Sequence, residues 1–121
     1  MNVTNNNAAD VRLYVHSIVC MYNGGDEGSN LNYFNGLEVV SGQTEPGGQG
    51  QYIEAIASEQ CFTQTSTFTL DVNEITGDGQ QPLGSLVISE QFNKYYDNPT
   101  GSVEAVVDND GDQATINVTV T

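Results

Sequence analysis

Asp108-Asn109-Asp110-Gly111-Asp112 is the densest set of metal-ligating side chains in the chain. Carboxylates at i, i+2 and i+4 of one loop can converge on Ca²⁺, a hard cation that takes about six to eight oxygen ligands. The spacing is not that of a helix-flanked calcium loop. Gln113 stands where the sharp-turn glycine belongs, and Thr119 where the bidentate glutamate belongs. The same five residues also read as an ordinary solvated turn, because Asp, Asn and Gly supply hairpin geometry. Asp26, Glu27, Glu74 and Asp78 are further candidate ligands, provided that their loops gather at one end of the fold.

Phe92, Tyr95, Tyr96 and Asn98 form a second constellation, with Asn93 and Asp97 among them. An exposed ring stacks on the C–H face of a sugar while neighbouring amides bond its hydroxyls, so this segment is a candidate glycan-binding surface. The plainer alternative has these rings plugging one open end of a sandwich. Cys20 and Cys61 either form one disulfide or remain two buried thiols, and neither has the neighbouring base that a reactive thiolate needs. His16 is the only histidine, and spacing identifies no nucleophile for it, so no Ser–His arrangement can be read. The Gly47-Gly48-Gln49-Gly50 run has no lysine and opens no helix, which excludes a phosphate loop.

Charge sets the wider limits. Sixteen acidic residues face two basic ones, Arg12 and Lys94, for a formal net charge of -14. Nucleic acid is excluded as a partner because phosphate binding needs clustered Lys and Arg. Direct binding to anionic membranes is excluded on the same ground. Glu38, Glu54 and Glu104 fall between inward positions and are expected on a solvated outer face. No signal peptide and no apolar run long enough to span a bilayer are visible. The composition favours a cell-surface, extracellular or virion-like setting over a cytoplasmic one.

The elements that must position these residues are strands. Val, Ile, Thr and Tyr are common, and short apolar runs alternate with segments rich in Gly, Asn, Asp and Pro. Residues 11–22 start with Val11, Leu13 and Val15 in phase and then shift to Ile18, Cys20 and Tyr22, which predicts a bulge near Ser17. Strands are expected at 33–40, 51–57, 61–72 and 86–88. In the run 61–72, Phe62, Gln64, Ser66, Phe68, Leu70 and Val72 share a face. Residues 102–107 and 113–121 form the clearest hairpin. Segments 23–32, 41–50, 73–82 and 91–101 are read as connections, with at most one helical turn near 92–96. The expected fold is an all-β, single antiparallel sandwich of about seven to eight strands over residues 11–121, preceded by a flexible tail at 1–10.

The stretch from Phe68 to Thr76, the loop 77–82 and then Leu83-Gly84-Ser85-Leu86-Val87-Ile88 resemble the synaptotagmin-type calcium/phospholipid-binding sandwich domain. The family ends a strand in acidic residues, adds a short acidic loop, and enters the next strand through an Ile- or Leu-Gly step. Gly28-Ser29-Asn30-Leu31-Asn32-Tyr33-Phe34 is loosely similar to its Ser-Asp-Pro-Tyr turn. At the family's acidic ligand positions this chain carries Glu74, Thr76, Gln81 and Asn30, of which only Glu74 is charged. The resemblance therefore implies the architecture rather than the family's calcium and lipid binding.

The functional expectation is a non-enzymatic binding or assembly module (adhesion, coat or filament type) whose partner is a protein or glycan surface, or the chain itself. The alternative is a calcium-dependent, lectin-like module with Ca²⁺ as its only cofactor, held by Asp108, Asp110 and Asp112.

Overall fold

A computed structural model describes residues 1–24, 29–109 and 113–121. Within them the chain is all-β and sandwich-like. Nine strands run in order: β1 (Asn2–Asn5), β2 (Val11–Val19), β3 (Glu38–Val39), β4 (Thr44–Glu45), β5 (Ser66–Thr76), β6 (Gly79–Gln91), β7 (Lys94–Gly101), β8 (Val103–Asp108) and β9 (Thr115–Val120). One sheet has the order β4-β1-β9-β8 and the other β3-β2-β5-β6-β7. All pairings are antiparallel except β1 with β9.

Alternation explains the core. Val11, Leu13 and Val15 of β2, Phe68, Leu70 and Val72 of β5, and Leu86 and Ile88 of β6 are buried on one sheet. Val3, Val103, Ile116, Val118 and Val120 meet them from the other. Fully burying each such side chain stabilises the fold by roughly 1.5–3 kcal/mol. The bulge lies where the phase shift placed it. His16 pairs with Thr69, Val19 with Thr67, and Ser17 between them has a positive φ of 56°.

Residues 1–10 are not a tail. Val3 is fully buried, and β1 lies beside β9 with Val3 opposite Val118. The asparagines that resemble disorder in the sequence make a compact corner. Asn5 Oδ1 accepts from the Asn7 N–H and Asn7 Oδ1 from the Ala9 N–H, both at 2.9 Å. The buried Asn5 amide also donates to the carbonyls of Ala9 and Val39. These side chains stand in for backbone partners, as Asx turns do.

Other segments also differ from expectation. The expected strand at 33–40 is a 3-10 turn at Leu31–Phe34 followed by the short β3, because Leu31 and Phe34, three apart, both reach the core. Segment 51–57 makes only an isolated bridge, Met21 to Ala55. β5 starts at Ser66, leaving Phe62 and Gln64 exposed outside it. Loops 73–82 and 91–101 are largely strand. β6 runs through Pro82 because β7 pairs with it only from Gly84 onward, so the missing N–H faces no neighbour. The backbones of Gly84 and Gly101 approach so closely that a Cβ on either would collide with backbone, and here the chain turns out of one sheet toward the other.

Candidate functional site

β6 has a hairpin at each end, and the site lies at the Phe92 end. A cleft of about 690 Å³ opens there between the ends of β1 and β9, the β6–β7 hairpin and the irregular segment 48–57. That volume is within the roughly 300–1,000 Å³ typical of ligand pockets. Hydrogen bonds at both of its ends hold segment 48–57 against the sheets. Gln51 N–H donates to the Met1 carbonyl at 3.0 Å, Tyr22 N–H to the Glu54 carbonyl at 2.9 Å, and Ile56 N–H to the Cys20 carbonyl at 2.8 Å. A disulfide joins Cys20 to Cys61, settling the two readings of those residues in favour of the bond, and no free cysteine remains among the described residues.

Tyr52, Glu54, Glu90, Asn93, Tyr95 and Asn117 carry the chemistry of the cleft. Burial and the Glu90 carboxylate push the Tyr95 phenol up to about 12, with Tyr52 and Glu54 acting in the same direction and a backbone hydrogen bond from Ala55 opposing them. Both carboxylates thus act on one phenol. Glu54 Oε2 accepts from Ser29 Oγ at 3.1 Å, and Glu90 Oε1 from the Asn93 N–H at 2.9 Å. The second oxygen of each has no partner among the described residues and can accept from a ligand. The Met1 α-amino group, whose pKa burial lowers, also lines the cleft and donates to the Gln51 carbonyl at 2.8 Å. Arg12 pairs with Glu38 and donates to the Gly36 carbonyl, while Lys94 stands opposite Gln91.

A smaller apolar groove of about 400 Å³ adjoins the cleft, sharing Ala57, Glu90 and Asn93 with it. Phe62 and Phe92 flank this groove and are 79% and 88% exposed. Phe92 and Asn93 both have positive φ, a conformation suited to Asn-Gly rather than to phenylalanine.

The predicted aromatic platform is divided. Residues 94–101 are strand β7, whose period of two sends adjacent side chains to opposite faces. Tyr95 turns into the cleft, Tyr96 and Asn98 lie on the outer face, and Phe92 sits in the turn. Glu54, expected on a solvated outer face, lines the cleft instead, because 51–57 is not a strand and its alternation carries no facing. Glu38 and Glu104 are exposed as expected. Glu54 and Glu90 escaped recognition because only the fold places them beside Tyr95.

Two of the three acidic turns stand apart. Asp78 sits at the β5–β6 tip, while Asp108 ends β8 next to Asn109, whose amide bonds both the N–H and the carbonyl of Tyr95 at 2.8 and 2.9 Å. Tyr95 pairs with Glu90 near the far end of β6, so about 40 Å of extended strand separates the two turns. Glu74 lies with Asp78, opposite Gln81 in the same hairpin that carries Thr76, and Asn30 donates its backbone N–H to Tyr52 instead. Asp26, Glu27, Asp110 and Asp112 lie outside the described residues. Among the described residues no three His, Cys, Asp or Glu side chains form a metal-holding group, and no helix is long and apolar enough to cross a membrane. No family model, curated protein or solved structure matches the chain.

Proposed function

We propose that this protein is a non-enzymatic binding module that takes a neutral, hydroxyl-rich ligand, a glycan, in the cleft at the Phe92 end. One observation carries the reading: in a ligand-sized cleft, two tyrosines stand beside two carboxylates, each with an oxygen that bonds no described residue. Rings offer an apolar stacking face and carboxylates accept from sugar hydroxyls. The two carboxylates disfavour sulfated or phosphorylated ligands.

Edge geometry favours binding over assembly by strand addition. On β7, Tyr95 and Pro99 share the parity that faces away from β6. Asn109 occupies the Tyr95 N–H and carbonyl, and Pro99 has no N–H to offer. A capped and proline-bearing edge resists pairing with another chain.

The reading is tested by an NMR titration against a panel of neutral and sulfated oligosaccharides. Shifts confined to residues 48–57, 90–95 and 113–117 with neutral members only are expected, and Glu54→Gln should weaken binding about tenfold, as removal of a charged hydrogen-bond acceptor does. Binding of the sulfated members alone would refute it. A calcium-dependent version is the second reading, favoured by Asn109 tying the acidic β8–β9 turn to Tyr95 at the margin of the cleft. Repeating the titration in EDTA and in calcium separates the two.

A further inference from the structure

The outer face of the five-stranded sheet carries a connected polar network that the cleft does not use. Asp71 of β5 lies directly across from Ser85 of β6 and diagonally from His16 of β2. Ser85 Oγ–H donates to Asp71 Oδ1 at 2.7 Å. Asp71 Oδ2 is 2.7 Å from His16 Nε2. An ionised carboxylate only accepts, so in the neutral imidazole the bond to Asp71 favours the tautomer with its proton on Nε2 and the Nδ1 lone pair free. Ser17 Oγ is 2.8 Å from Nδ1, in position to donate its proton there. A serine, a histidine and an orienting aspartate are thus joined in the order that acyl-transfer triads use, with the two ring nitrogens exchanged.

The backbone supports the same conclusion. Ser17 lies in the β2 bulge with φ 56°, a left-handed conformation that is unfavourable for a non-glycine residue by roughly 1–2 kcal/mol. Bulges re-aim side chains, and strain of this kind concentrates at functional positions. Ser17 and His16 are exposed, so a reagent reaches them from solvent. Neither the cleft nor the groove is lined by Ser17, His16 or Asp71.

We propose that Ser17 is a covalent acyl-acceptor site, activated by His16, that takes an acyl group from small activated esters. In the step, Ser17 Oγ bonds to the ester carbonyl carbon and its proton passes to His16 Nδ1. The bond from that carbon to the leaving alcohol then breaks, and the proton moves from His16 to the departing alkoxide. No group is oxidised or reduced. Asp71 is a positioning residue, holding the ring in the tautomer that can accept. Since neither hollow serves the site, it reacts in a bimolecular encounter and modifies the chain once. It is therefore independent of glycan binding.

The experiment incubates the full chain with p-nitrophenyl acetate and follows nitrophenolate release, intact mass and peptide mapping. A single acetyl adduct on Ser17 is expected. General-base assistance contributes on the order of 10²–10⁴-fold, so His16→Ala should slow acetylation about 100-fold, and added imidazole should restore much of it. Asp71→Asn should slow it at least about tenfold, with partial recovery in Asp71→Glu. His16→Gln, closer in shape, replaces His16→Ala if the latter melts early. Adducts spread over other hydroxyls, or equal rates of Ser17 acetylation in the wild type and a folded His16 variant, would overturn the proposal.

Discussion

The two hairpins of β6 are built on opposite terms. At one end Gly77 and Asp78, ordinary turn formers, close the β5–β6 hairpin, which projects past the start of β2. At the other, Phe92 and Asn93 close the β6–β7 hairpin at positive φ, with the Phe92 ring almost wholly in water. The cleft, the apolar groove, the disulfide and the Asn109 clamp all cluster around this second hairpin. Strain and exposed aromatic surface both disfavour a free-standing fold, and they coincide at the end where a ligand-sized hollow lies. That coincidence is why we propose the Phe92 end as the binding end, with the Asp78 end a plain closure.

The largest break in this contrast comes from removing the disulfide. Closing a loop of 41 residues' separation constrains the unfolded chain by about 4 kcal/mol, so Cys20→Ser with Cys61→Ser should lower the urea midpoint steeply. Amide exchange should rise first in segment 48–57 and leave the Asp78 hairpin protected. An even rise along the whole of β6 would dissolve the distinction between the ends.

Tyr95 supplies the next effect. Its folded pKa of about 12 exceeds the ordinary phenol value of 10.0, so the neutral phenol is favoured by the fold. The contribution is fully present below pH 10 and is lost as pH rises through 12, on the order of 2 kcal/mol in all. Denaturation followed from pH 9 to 12 should show that loss in the wild type, and Tyr95→Phe should remove most of it.

Asn109→Ala should destabilise by about 1–2 kcal/mol, because it strips partners from two partly buried backbone groups on β7. It also uncaps the β7 edge, so light scattering should reveal more self-association than in the wild type. The smallest effect has the opposite sign. Phe92→Asn should stabilise by about 0.5–1 kcal/mol, since asparagine tolerates positive φ and removes an exposed ring. Asp78→Ala, the matched change at the plain end, should leave the melt within about 0.5 kcal/mol. A destabilised Phe92→Asn would mean that the ring packs in the groove and is not held out for a partner.

What was readable in advance follows from how local each feature is. Alternation has a period of two, so Val11, Leu13 and Val15 declared β2, and the break in phase placed the bulge at Ser17. The 103–120 hairpin was readable for the same reason. The charge was readable outright, and with it the expectation that polyanions are poor partners. Polar residues were legible as types and illegible as roles. Asn5 and Asn7 read as a flexible tail because the distant partners that complete their local bonds, β9 and Val39, do not show in the sequence. The Phe92, Tyr95 and Tyr96 cluster read as one surface because a loop was assumed where β7 imposes opposite faces.

The sequence by itself determined an acidic, all-β chain with two cysteines available to pair and one histidine at a bulge. Tertiary structure alone decided that Glu54 and Glu90 share a cleft with Tyr95, that the Asp78 and Asp108 turns stand far apart, and that Asp71 reaches His16 across 55 residues of chain. The reason is physical. Facing within a strand is fixed by neighbouring residues, whereas a site is fixed by the register between strands, and that is set by the packing of the whole core.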